Sequence, residues 1–194
     1  MNILTEKLPD YITVDNVKYA VNTDFRIWME FDSMLHNRTL NLKDKIMMVF
    51  RLCFDLEKCR ILPEDINSAM DGLCTFYICG KKPIKQGNIR KASQRVLDYS
   101  QDSGYIYSAF LTQYGIDLLS VPYMHWYAFC ALMDGLEDSR HLKKIIGFRV
   151  CCPDDVKNKE KRNYLKRMKE LYALPDTRSD KEKEGDMAEI LSNI

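Results

Sequence analysis

From residue 25 onward, most of the chain repeats one pattern. Apolar side chains fall three and four apart, a Gly, Pro or small polar residue interrupts, and the spacing resumes. This spacing gives each helix one greasy stripe that a neighbour must cover, so it predicts helices packed on helices. The first helix runs from Phe25 to Leu35, carries Ile27, Trp28, Phe31, Met34 and Leu35, and is capped by Asn22-Thr23-Asp24. The second runs from Leu42 to Asp55 with Leu42, Ile46, Val49, Phe50, Cys53 and Phe54 as its stripe. A third opens at Pro63, a favourable first-turn residue, and ends at Gly80; Ile66, Ala69, Met70, Leu73, Cys74, Phe76 and Tyr77 line it.

The second half continues the pattern. Asp102 or Ser103 caps a helix holding Tyr105, Ile106, Ala109, Phe110 and Tyr114, and Gly115 stops it as a left-handed cap. Pro122 opens the most apolar helix, Tyr123 to Asp134, which is hydrophobic nearly all round and is therefore expected at the centre. Ser139 caps the next, with Leu142, Ile145, Ile146 and Val150 inward and Pro153 as its stop. Val156 to Leu174 is a basic amphipathic helix with Leu165, Met168, Leu171 and Tyr172 on its stripe.

The residues before 22 follow another rule. Tyr11-Ile12-Thr13-Val14 and Val17-Lys18-Tyr19-Ala20-Val21 are rich in β-branched and aromatic residues, and Asp15-Asn16 between them tolerates left-handed dihedrals. A hairpin with a two-residue turn is predicted, lying on apolar helices because a lone hairpin is marginal in water. The expected fold class is thus mainly α: a single helical domain over residues 1–174, of about seven helices, with an N-terminal β-hairpin at 11–21. Residues 81–101 contain Pro83, Gly87 and six basic residues, Lys81, Lys82, Lys85, Arg90, Lys91 and Arg95, before Asp98. They read as a mobile basic connection, and 175–194 as a charged, flexible tail.

Composition narrows the function classes. Among 194 residues, 29 are basic and 28 acidic, a formal net charge of +1, which excludes a generally cationic nucleic-acid binder and a strongly acidic disordered chain. Seven cysteines, an odd number without a preceding secretory signal, suggest reduced thiols in a cytoplasm. The longest nearly uncharged stretch, Tyr114 to Met133, is broken by Gly115, Asp117, Pro122 and His125, so no membrane span is expected.

No phosphate loop, dinucleotide fingerprint, nucleophile elbow or zinc-protease helix occurs. His36, His125 and His141 are scattered, and no cysteine pair has close zinc-ligand spacing. A Cys/His pair that meets only in space stays open, but no catalytic, metal or cofactor-binding residue is assigned, and no cofactor is expected. Cys53, Cys74 and Cys130 lie on apolar stripes, where a thiol behaves as a small hydrophobe. Lys157 to Lys169 holds seven basic residues and one acid, Glu160, and reads first as a solvated helix face. Nucleic-acid binding through 81–95 and 157–169 is the less favoured use of these stretches. Adjacent Met47 and Met48 cannot both face one spot on a helix, and flexible thioethers suit surfaces that meet helical partners.

Three segments together resemble one family. They are Asn22-Thr23-Asp24-Phe25-Arg26; Ile106-Tyr107-Ser108-Ala109-Phe110 running into Tyr114-Gly115-Ile116-Asp117-Leu118; and Met124-His125-Trp126-Tyr127-Ala128-Phe129 followed by Leu132, Gly135 and Leu136, with Phe148-Arg149 beyond. The pattern is similar to the bacteriophage gene-product-fifteen family of tail gene clusters in long-tailed phages and prophages of Gram-positive bacteria, over roughly residues 10 to 174. Where the family often has a second Trp after His-Trp, this chain has Tyr127.

The resemblance implies a tail morphogenesis factor, foremost a tail assembly chaperone that binds the tape-measure protein without catalysis. It would self-associate, could meet other tail proteins, and would act in the cytoplasm of the bacterial host. A structural tail component retained in the virion is the alternative. The family brings no established catalytic residues. Tyr114, Gly115, Asp117, His125, Trp126 and Arg149 are expected to be structural, with His125 capping a helix or bonding a neighbour such as Asp117, and with Asp117 and Arg149 pairing inside the fold. Candidate partner-binding residues are Met47, Met48, Lys85, Arg90, Arg162 and Arg167.

Overall fold

The computed structural model describes residues 2–59, 61–81 and 95–175. Among them stand a two-stranded antiparallel hairpin, β1 (Tyr11–Val14) and β2 (Val17–Ala20), and seven α-helices. The helices are α1 (Phe25–His36), α2 (Leu42–Cys53), α3 (Ile66–Tyr77), α4 (Ser103–Tyr114), α5 (Trp126–Asp134), α6 (His141–Val150) and α7 (Lys159–Leu171), with a 3-10 turn at Pro153–Asp155. The protein is therefore mainly helical with an N-terminal hairpin, as the periodicity predicts.

The hairpin turn forms because Asp15 and Asn16 both accept positive φ, 48° and 63°, which sets Ile12 opposite Tyr19 and Val14 opposite Val17. Ile12 and Val14 are buried, and β1 lies on α3. Gly72 permits this approach: a Cβ there would sit 3.0 Å from Ile12 Cδ1. Val17, opposite Val14 beside the turn, is exposed.

A continuous cluster of buried apolar side chains runs from Ile12 and Val14 through Trp28, Phe31, Phe54, Leu73, Phe110 and Phe129 to Leu142 in α6. Aromatic rings dominate its middle. Phe129 stacks on both Phe25 and Phe110 with centroids 5.0 Å apart, and Trp28 stacks on Phe76 at 4.5 Å. Offset stacking adds about 0.5–1.5 kcal/mol per pair beyond area burial. The predicted centrality of α5 holds for the face carrying Trp126, Tyr127 and Phe129, while Ala131 is exposed.

Three helix starts differ from the sequence reading. Helix α3 begins at Ile66, because Asp65 accepts from the Asn67 and Ser68 amides and outcompetes Pro63 as the start signal. Helix α5 begins at Trp126, because residues 123–125 are held extended: the Phe25 amide donates to the Met124 carbonyl at 2.9 Å and the Trp126 amide to the Thr23 carbonyl at 2.7 Å. Helix α6 is capped by Arg140, since Ser139 Oγ bonds Glu137 instead. Leu42, Ile66, Val150 and Leu171, placed on inward stripes from spacing, are exposed; each lies at or within one residue of a helix end, beyond the neighbour that would cover it. The predicted connection and tail fall largely on residues 82–94 and 176–194, outside the described residues.

Candidate functional site

The segment Asn22-Thr23-Asp24-Phe25-Arg26 leaves the hairpin and enters α1, and nearly every polar group on it is spoken for. The Asn22 amide donates to the Cys53 carbonyl at 2.7 Å, and its side-chain nitrogen donates to the Leu52 and Phe54 carbonyls at 2.8 and 3.3 Å. Its own carbonyl accepts from Trp28 Nε1 at 2.8 Å. One residue thus joins the hairpin, the end of α2 and the first turn of α1. Asp24 caps α1 by accepting from the Arg26 amide and pairs with the Arg26 guanidinium at 3.1 Å. Arg26 then reaches over to donate to the Leu118 and Val121 carbonyls at 3.1 and 2.7 Å.

Those carbonyls belong to the loop that Gly115 and Asp117 shape. Gly115, at φ 67°, closes α4 in a left-handed conformation that costs a residue with a Cβ roughly 1 kcal/mol. Asp117 accepts from the Leu119 amide at 3.0 Å, and this bond holds its carboxyl below the usual range. Tyr114 donates from its hydroxyl to the Leu132 carbonyl at 2.8 Å, tying α4 to α5.

His125 caps α5. Its Nδ1 accepts from the Tyr127 amide at 3.0 Å, which fixes the proton on Nε2, and Nε2 donates to the Pro9 carbonyl at 3.0 Å. Burial pushes its pKa down, opposed by the Pro9 bond and the Asp10 charge. Both ring nitrogens are occupied, so the ring as folded offers no base. The expected bond to Asp117 does not form, because α5 starts at Trp126, three residues past Tyr123, and His125 turns toward the N-terminal segment. Trp126 is buried, stacks on Tyr77 and donates from Nε1 to the Tyr77 carbonyl at 2.8 Å.

The expected Asp117–Arg149 pair is also replaced. Arg149 donates to both carboxylate oxygens of Asp102 at 2.7 and 2.9 Å, both side chains almost fully buried. Its Nε and Nη1 also donate to the Tyr172 and Val96 carbonyls at 2.7 and 3.0 Å. A helix-capping residue type in the sequence is thus a buried counter-ion, and Asp102 makes no side-chain cap bond to α4. A second buried acid, Asp32, accepts from the Tyr77 hydroxyl at 2.7 Å and pairs with Arg95, which also bonds Asp98. Sequence reasoning missed Asp32; the signal available was a carboxylate beside Phe31 and one turn beyond Trp28 on the buried stripe of α1.

Between the N-terminal segment, the hairpin exit and the α5 cap lies an open cleft of about 700 Å³, lined by Lys7, Asp10, Asn22, Asp24, Lys58 and His125 among others. Its charges neutralise one another locally, Lys7 on Asp10 at 2.9 Å and Lys58 on Asp55 at 2.6 Å. Among the described residues no group of three or more His, Cys, Asp or Glu is placed to hold a metal ion. No helix there is long and apolar enough to cross a membrane.

The candidate partner-binding residues are not gathered into one patch. Met47 and Met48 are both nearly half exposed, at 46% and 43%. They straddle the outer side of α2, opposite Val49, Phe50 and Cys53. Arg162 and Arg167 stand on α7, half-buried and exposed respectively. Helix α2 packs on α1, whereas α7 packs on α6 and the 3-10 turn. Lys85 and Arg90 lie outside the described residues.

A family model described as Bacteriophage Gp15 protein matches residues 4–174. No curated protein and no solved structure matches the chain.

Proposed function

Because the chain belongs to the bacteriophage Gp15 protein family, we propose that it is a tail assembly chaperone that binds the tape-measure protein, without catalysis, in the host cytoplasm during phage assembly. The observation that carries this reading is the pair of thioethers exposed on α2. The buried interior is closed by interlocking aromatic rings and by polar groups that, Arg95 Nε aside, find partners, while Met47 and Met48 stand outward on α2 among charged neighbours. A tape-measure protein is long, helical and partly apolar, and alone it exposes adhesive surface that aggregates. Unbranched thioethers adapt to successive helical segments of such a partner. Single contacts of this size are weak, so repeated copies along the partner supply avidity, and tube subunits can later displace them.

The test is co-expression with the long helical tail protein encoded beside it. Chaperone action keeps that protein in the supernatant and co-purifies it with this chain, and the chain is absent from finished particles. A tape-measure protein that stays aggregated and unbound removes the reading. Recovery of the chain from purified particles turns it into the structural alternative, and tight, steeply salt-dependent retention on heparin into the nucleic-acid one.

A further inference from the structure

The chain from the end of α3 to Lys81 meets the side of α5 that carries Trp126 and Asp134 at two points. Trp126 Nε1 donates to the Tyr77 carbonyl at 2.8 Å, and Lys81 Nζ pairs with Asp134 at 2.6 Å. On α5, residues 126, 130 and 134 are one turn apart along one side of the helix. On the opposing stretch of chain, 79 lies midway between 77 and 81. The two contacts therefore set Cys79 beside Cys130, near enough that each thiol shifts the titration of the other. Cys79 itself holds φ 57°, a conformation that a non-glycine residue adopts only at some cost.

The surroundings separate the two thiols. Cys79 is pulled down by the neighbouring Cys130 thiol and by Lys81, against burial and Asp134; Cys130 is pushed up by Cys79, by burial and by Asp134. Tyr99 and Tyr127 face the pair, both with phenols raised by burial. Both cysteines are half-buried, which leaves them within reach of small reagents. Cys53 makes the contrast: it is wholly buried and its thiol is pushed up by burial, as an inert core residue.

We propose that Cys79 and Cys130 form an oxidisable dithiol site that closes to an intramolecular disulfide with a small-molecule disulfide as oxidant. Cys79 thiolate attacks one sulfur of the oxidant, breaking its S–S bond and releasing one small thiolate, which takes up a proton. Cys130, losing its proton to solvent, then attacks the Cys79 sulfur of the mixed disulfide and releases the second small thiolate. The dithiol loses two electrons and two protons, and the oxidant becomes two thiols. The bond joins the end of α3 to α5 just before residues 82–94. It requires no tail protein, so it stands apart from the chaperone reading.

The experiment is incubation of the full-length protein with oxidised glutathione, alkylation of the remaining thiols, and peptide mapping without reduction. The site predicts a mass lower by two hydrogens, five alkylated thiols in place of seven, and one peptide joining Cys79 to Cys130. It further predicts that Cys130→Ser traps glutathione on Cys79 and that Cys79→Ser leaves Cys130 unmodified. A wild-type map without the joined peptide, or with another cysteine pair joined, overturns it. The decisive map uses the wild-type chain, so the test stands even where a variant fails to fold.

Discussion

Helices α5 and α7 differ in nearly every respect that governs packing. Helix α5 buries Trp126, Tyr127 and Phe129 and is capped by a histidine whose two nitrogens both find partners. Helix α7 is longer, heavily charged, capped by Asn158 alone, and buries no residue fully. The segments that make the chain recognisable, around Asn22–Arg26, Tyr114–Leu118 and Met124–Phe129, cluster on the α5 side of this divide. They are joints of the fold. The outer faces of α2 and α7, where the candidate partner-binding residues stand, carry no recognisable pattern. A recognisable residue here marks what holds the molecule together; the proposed function looks for its partner elsewhere.

The contrast breaks first at the buried joints. Arg149→Ala leaves the Asp102 carboxylate buried without its counter-ion and is expected to cost about 3–5 kcal/mol in chemical denaturation. Phe129→Ala empties the space between Phe25 and Phe110 and falls in the same range, about 3–5 kcal/mol. Asn22→Ala strips a donor from the Leu52 and Phe54 carbonyls and should cost about 1–3 kcal/mol. If all three instead fall within the spread of surface substitutions, the joints do not carry the fold.

A pH series sharpens the comparison within α5. The lowered pKa of His125 means that the unfolded chain takes up a proton more readily than the folded one as pH falls below the ordinary histidine value of 6.5. The stability that neutral His125 contributes is complete above that pH and declines below it, because burial disfavours the charged ring and a proton on Nδ1 would face the Tyr127 amide it now accepts from. The denaturation midpoint should drop between pH 6.5 and the folded pKa, and His125→Asn should flatten that drop. An equal drop in the variant assigns the effect to other groups.

The smallest stability effects belong to the outer faces. Met47→Ser with Met48→Ser on α2, and Leu171→Ser on α7 (66% exposed), should each stay within about 0.5 kcal/mol of wild type. A large loss at Leu171 would mean that α7 is covered more tightly than its exposure indicates.

How much of the fold and the site is legible in the sequence depends on how local the physics is. The hairpin turn is readable because Asp15 and Asn16 themselves supply the positive φ it needs. Gly115 is readable for the same reason. The starts of α3 and α5 are not, since Pro63 and Pro122 are local signals overridden, in one case by the Asp65 cap and in the other by a backbone bridge from Thr23–Phe25. The ion partner of Arg149 escapes sequence reasoning because Asp102 is equally good as a cap, and spacing cannot say which duty wins. Cys79 and Cys130 are separate apolar or terminal positions in sequence; only the register between Tyr77–Lys81 and α5 brings them together.

The division of labour is tested most directly by capture of the tape-measure protein with two variants in parallel, each also followed by thermal unfolding. The Met47→Ser/Met48→Ser protein should unfold as wild type does and lose most of its ability to keep the tape-measure protein in solution, whereas Asn22→Ala should be less stable yet still capture it at temperatures where it is folded. Full capture by the methionine variant, or loss of capture by folded Asn22→Ala, would contradict the separation of folding joints from contact surface.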